Sequence, residues 1–197
     1  MKKKSLLLAI VLSLFSYSSR AEGWLQLINN SPTARVFERD PFTLELSLVP
    51  PNGGKVEFLY ALAGTTDLSL FKTVAGKSPV TFGPAPGVFS GGTYRLTDIE
   101  PGAVISAIVR GWTGDFASWD EAVNSGLAKI GTSSIFLVDT TDPSPIPPPP
   151  PASILTSVPG QGFAGLILQI PEPSSLALCG FGVAALLARR RRNKSNK

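Results

Sequence analysis

Histidine is missing from all 197 residues, and cysteine occurs once. The first absence removes Ser-His and Cys-His nucleophilic pairs and His-ligated metal centres from consideration. The second removes any internal disulfide, because Cys179 stands alone inside a C-terminal apolar run. An outer domain must therefore be held by core burial. Charge is sparse, and its distribution says more than the formal net of +4. Four basic residues fall in 1–21 and six in 189–197, leaving eight against all fourteen acidic residues between Glu22 and Ala188, a net of −6. Phosphate binding needs Lys and Arg clustered on a folded surface. Here they cluster in tails, so nucleic acid is not expected as a partner.

What is present at the two ends is topological. Met1-Lys2-Lys3-Lys4 leads into an apolar stretch, Ser5 to Phe15, then a polar segment with small residues at Ser19 and Ala21. This is the secretory pattern, with signal peptidase cleavage expected after Ala21. The competing reading, a retained N-terminal anchor, suffers because the apolar run falls short of the ~20 residues a spanning helix needs. At the other end Pro171-Glu172-Pro173 precedes Ser174 to Ala188, fifteen residues without a charge, followed by Arg189-Arg190-Arg191-Arg192. Fifteen helical residues span only ~22 Å against a hydrocarbon core of ~30 Å. Snorkelling arginines and local thinning of the bilayer make insertion feasible, and the four arginines hold the tail on the cytoplasmic side. A buried core helix is the alternative, but such a helix should show a polar face and this one has none.

Between the ends, apolar residues alternate. Leu44, Leu46 and Leu48 form one set; Val56, Phe58, Tyr60 and Leu62 form another after the turn-forming Pro50-Pro51-Asn52-Gly53-Gly54, which predicts a hairpin. Further strands are expected at Trp24 to Ile28, Val80 to Phe82, Thr93 to Thr97, Ala103 to Trp112 and Ser134 to Val138. One short helix is expected over Ser118 to Ser125, capped by Ser118 and Glu121 and stopped by Gly126. The fold class is accordingly mostly β: a small antiparallel β-sandwich, immunoglobulin-like or jelly-roll-like, spanning residues 22–142. Pro143 to Pro151 reads as a semi-rigid spacer reaching ~28 Å, a stalk rather than a proline-recognition ligand. Within the linker 143–170, the apolar runs Ser153 to Val158 and Gly165 to Ile170 are read either as an added strand or as a sticky connection.

The order Pro171-Glu172-Pro173-Ser174, an apolar helix containing Gly180 and Gly182, and terminal arginines resembles the PEP-CTERM protein-sorting signal of Gram-negative bacteria. The resemblance implies a sorting signal over 171–197: motif 171–173, transmembrane helix 174–188 and basic cytoplasmic tail 189–197. It also implies processing by an exosortase, with Cys179 belonging to the substrate. In the middle of the chain Tyr60 to Gly64, Gly87 to Gly92, Val109 to Trp112 and Gly131 to Phe136 resemble uncharacterised β-rich domains that accompany this signal.

Chemistry in the outer domain is expected to be absent. Asp115, Asp120 and Glu121 beside Trp112 and Trp119 resemble a glycosidase pair only superficially, and a capped helix with a solvated acidic face accounts for them. Trp112 and Trp119 are the candidate glycan contacts, against the alternative that they fill the core. No cofactor or metal is expected. The sequence thus points to a non-enzymatic surface or matrix protein, exported across the inner membrane, transiently anchored, and associated with exopolysaccharide or biofilm. The alternative is a carbohydrate-binding module or weak polysaccharide hydrolase.

Overall fold

Two long runs rich in β-branched and aromatic residues build the centre of the molecule. Strands β4 (Gly54–Leu62) and β8 (Val104–Thr113) pair antiparallel from Gly54 opposite Thr113 to Leu62 opposite Ile105. Val56, Phe58 and Tyr60 alternate onto one face with Ile105, Ala107 and Val109. On the opposite face Leu59, Ala61 and Ile108 are buried against Phe71, so this end of the pair is covered on both sides. Strand β10 (Phe136–Asp139) and the short β9 (Ile130–Thr132) extend β8, while β5 (Lys72–Thr73) and β6 (Val80–Thr81) extend β4. The computed structural model describes residues 22–155 and 161–171.

Two three-stranded sheets share this core. In one, β1 (Gly23–Ile28) lies between β7 (Ser90–Leu96) and β11 (Ala152–Ser153). In the other, β2 (Val36–Arg39) lies between β3 (Leu46–Leu48) and β12 (Leu166–Leu168). Leu25, Val36, Phe58, Tyr94 and Leu166 meet in one cluster contributed by all three sheets. Phe163 stands edge-on to both Phe89 and Phe136, at 5.7 and 5.9 Å between ring centroids. Buried Asn29 donates to Ala34 O (2.9 Å) and Gly87 O (2.8 Å) and accepts from Phe89 N–H. Its polar atoms are satisfied where β1, β2 and the entry to β7 converge, as a buried amide requires.

The mostly β reading with one short helix stands: α1 (Trp119–Ser125) is capped by Ser118 and stopped by Gly126 at φ 66°. Glu121 closes the cap one residue earlier than expected, accepting from Ala117 N–H at 2.8 Å. Several expectations need correction. The 44–48 and 56–62 segments do not form a hairpin; β3 pairs with β2 through a turn at Asp40–Leu44, and β4 pairs with β8. The Pro50–Gly53 turn instead carries the chain from one sheet to another. The leucines of the first segment do not build a buried face, since Leu44, Leu46 and Leu48 are all exposed.

The sheets are not wholly antiparallel either, because β11 runs parallel to β1 and β12 parallel to β2. Nor is the proline-rich segment a stalk. It leaves the body at Thr141, bonded to Trp24, and returns at Ala152, opposite Leu25, so neighbouring residues of β1 hold both its ends. Of the two readings of 152–170, the added strand is what forms. Ile154, Phe163, Leu166 and Leu168 are core residues, and the expected domain end at Asp142 falls before the last two strands.

Tyr60 and Tyr94 are both in this core. Burial, with Glu57 nearby, pushes the Tyr94 phenol from the ordinary 10.0 up to about 12. Burial, then the hydrogen bond from its hydroxyl to Asp98 (2.6 Å), raises Tyr60 as well. Because the folded values lie above the unfolded one, this stability is fully present below pH 10 and is lost as pH rises toward 12. In an alkaline titration followed by ultraviolet absorbance and circular dichroism together, these two phenolates should appear only as the fold is lost. Ionisation near pH 10 with the fold intact would contradict the packing.

Candidate functional site

The chain leaves the described body at a built edge. Strand β12 is in register with β2, Leu166 opposite Val36 and Leu168 opposite Glu38. Gln169 then exchanges two backbone hydrogen bonds with Ile130, at 2.8 and 3.0 Å. Gly131 permits the close approach of β9, since a Cβ there would sit 2.2 Å from Ile167 O. An ion pair of 2.9 Å between Lys129 and Glu38, both largely buried, ties β2 to the segment entering β9. At this exit Arg39 Nη1 donates to Gln169 Oε1 at 3.2 Å. Pro171, the first residue of the predicted motif, is exposed two positions later.

Beside this edge, on the outer face of the β12-β2-β3 sheet, lies a cleft of about 520 Å3. Phe37 and Arg39 line it from β2 and Arg35 from just ahead of it, Leu46 from β3, and Ile167 from β12 with Gln169 just beyond, with the hydroxyl residues Thr132 to Ser134 along one side. Arg35 Nη1 donates to Pro86 O at 2.8 Å. The Nε atoms of both arginines are buried without a hydrogen-bond partner. The sequence reading passed over Arg35 and Arg39. The stretch Arg35-Val36-Phe37-Glu38-Arg39 does not alternate polar with apolar residues and is too short to separate from a loop.

The adjoining turn is fixed by Asp40. Its Oδ1 accepts from Thr43 N–H and Phe42 N–H, each at 2.8 Å. Those two bonds hold its carboxyl below the usual range. Held this way, the turn presents Phe42 outward.

Comparison with known proteins decides what leaves this edge. Residues 169–192 match the PEP-CTERM protein-sorting motif. The matched segment begins at Gln169 and therefore starts inside the folded body. A PEP-CTERM signal implies an extracellular protein sorted by an exosortase, through a membrane-transient stage in Gram-negative bacteria. No curated protein and no solved structure matches the chain.

Of the predicted PEP-CTERM residues, Pro171 lies in the structure, while Glu172, Pro173, the 174–188 helix and Arg189–Arg192 lie outside the described residues. The signal segment 1–21, with Ala21, lies outside them too. Among the described residues no helix is long and apolar enough to cross a membrane.

The candidate glycan platform is differently placed. Trp112 is fully buried against Ala122 and Ala128, and its indole N–H donates to Phe116 O at 3.2 Å. It therefore offers no face to a sugar. Trp119 stands edge-on to it at 6.2 Å, and the guanidinium of Arg110 lies 5.2 Å from the Trp119 ring centre. The acidic cluster is occupied as well: Asp115 pairs with Lys55 at 2.9 Å, and Glu121 closes the cap of α1.

Proposed function

We propose that this is a non-enzymatic protein of the cell surface or extracellular matrix, associated with exopolysaccharide or biofilm. Signal peptidase removes residues 1–21 after Ala21. The apolar segment 174–188 then lodges in the inner membrane, with Arg189 to Arg192 kept on the cytoplasmic side by the energetic bias against moving clustered positive charge outward. An exosortase recognises Pro171-Glu172-Pro173 and releases the body. The observation that carries this reading is the match at 169–192, placed where a charge-free run and an arginine cluster follow.

The six-stranded sheet facing two smaller sheets across a shared core supports reading the body as a small β-sandwich. For the alternative of a carbohydrate-binding module or polysaccharide hydrolase, Trp112 is buried, and the Arg35–Arg39 cleft is one groove that such a reading could use.

In cells containing the exosortase, Glu172→Ala should leave uncut protein in the inner-membrane fraction while the wild type is released. Immunoblots of membrane and culture fractions read the outcome. Equal release of the two proteins would remove the sorting claim.

A further inference from the structure

The edge from which the chain departs is also where the body displays apolar side chains that its fold does not use. Strands β12 and β2 run parallel in register and reach the same end of their sheet together. Beyond it, one continues through Pro171 into the sorting signal and the other turns through Asp40–Leu44 into β3. At that turn Phe42 is 93% exposed and Leu44 67%. Leu46 follows on β3 at 49%, and Ile167 on β12 is 40% exposed. Scattered exposed hydrophobes need no explanation; a group at one tip does. Leu44 moreover adopts φ 61°, a left-handed conformation that a bulky side chain occupies only with strain and that Gly or Asn would adopt more easily. A leucine kept there argues that its side chain is used. Arg39, at this end of β2, stands beside the group, its Nη1 donating to Gln169 Oε1.

We infer that this tip is a lipid-docking surface for the uncut protein. Phe42 and Leu44 enter the boundary between headgroups and acyl chains on the outer side of the inner membrane, with Arg39 beside them at the level of the headgroups. Residues 170–173 separate Gln169, hydrogen-bonded to Ile130, from the charge-free run beginning at Ser174, and the five residue steps between them reach at most ~18 Å. With that run in the bilayer, the Phe42 end of the body is held against the surface. This rests on the membrane reading of 174–188. An acidic polysaccharide would engage Arg39 and stack on Phe42, but it has no use for the exposed aliphatic Leu44, Leu46 and Ile167 beside them, which is why lipid is favoured. Docking of this kind combines a small apolar insertion with attraction to phosphate.

The test uses the full-length chain, with Cys179→Ser and a single new cysteine carrying an environment-sensitive fluorophore. Phe42→Cys reports the tip. Leu62→Cys, exposed at the far end of β4 from Gly54, reports the opposite end. The proteins are reconstituted into vesicles of phosphatidylethanolamine and phosphatidylglycerol containing spin-labelled lipid. Quenching of roughly two-fold or more is expected at position 42, given the shallow burial such surfaces reach, and none at 62. If the protein floats with the vesicles yet position 42 is quenched no more than 62, docking is wrong while the anchor stands. If the protein does not float with vesicles, the anchor and the docking fall together. A response at 42 to soluble polygalacturonate but not to spin-labelled lipid would replace this inference with a saccharide site.

Discussion

A chain ended at Asp142 is expected not to fold, although the sequence pattern marks that residue as the end of the outer domain. The truncation removes Ile154, Phe163, Leu166 and Leu168, which are buried in the central cluster. Burying each such side chain stabilises by about 1.5–3 kcal/mol. Together that is about 6–12 kcal/mol, of the same order as the whole stability of a small domain. Loss of β11 and β12 also strips β1 and β2 of a neighbour and opens backbone donors and acceptors to water. Circular dichroism and urea titration of chains ending at Asp142 and at Pro171 should show a cooperative transition only for the longer one. A cooperative transition in the shorter chain would mean that the last two strands are ornamental. A practical corollary is that an activity screen on residues 22–142 would test an unfolded polypeptide.

Trp112→Ala is expected to lower stability by about 3–5 kcal/mol, the range for deleting a large buried aromatic. Its ring fills the space between β8, α1 and the segment entering β9, in contact with Ala122 and Ala128. Those small neighbours cannot collapse into the void. The indole N–H bond to Phe116 O is lost too, and Lys55 Nζ donates to the same carbonyl at 3.0 Å, so the loop carrying Asp115 should loosen with it. Trp119→Ala, only half-buried, should cost clearly less. Equal midpoints in urea for the two variants would refute the packing. The contrast also bears on function, because loss of polysaccharide binding in a Trp112 variant would report an unfolding protein rather than a missing contact.

How much of this was legible depended on the kind of signal. Strands with a length of several residues were read where they occur: Trp24 to Ile28 buries alternate residues, Val56 to Tyr60 and Ala103 to Trp112 are long runs rich in apolar residues, and the cap at Ser118 and stop at Gly126 announced α1. Partnership was not legible. The Pro50–Gly54 cluster looks like a hairpin turn, yet the choice of β8 over β3 as partner for β4 rests on a nine-residue ladder with a strand fifty positions away, which no local pattern encodes. Leu44, Leu46 and Leu48 misled because alternation specifies a face without saying what will cover it. The late strands were obscured by five consecutive prolines, whose extended preference suits a stalk and a closed loop equally well. As for the site, the PEP-CTERM signal was plain in its own residues, whereas the edge supporting it was not. Arg39 and Gln169 are 130 positions apart, and only the parallel pairing of β12 with β2 puts them in contact.

The closing strand of the body lies immediately ahead of the sorting signal, and this has a temporal meaning. For a polypeptide that crosses a membrane from its N-terminus, Leu166 to Leu168 emerge among the last residues to do so. Until they arrive, the sheet around β2 lacks one of its two partners and the central cluster stays open to water. Completion of the globule therefore waits on the residues that directly precede the matched sorting motif.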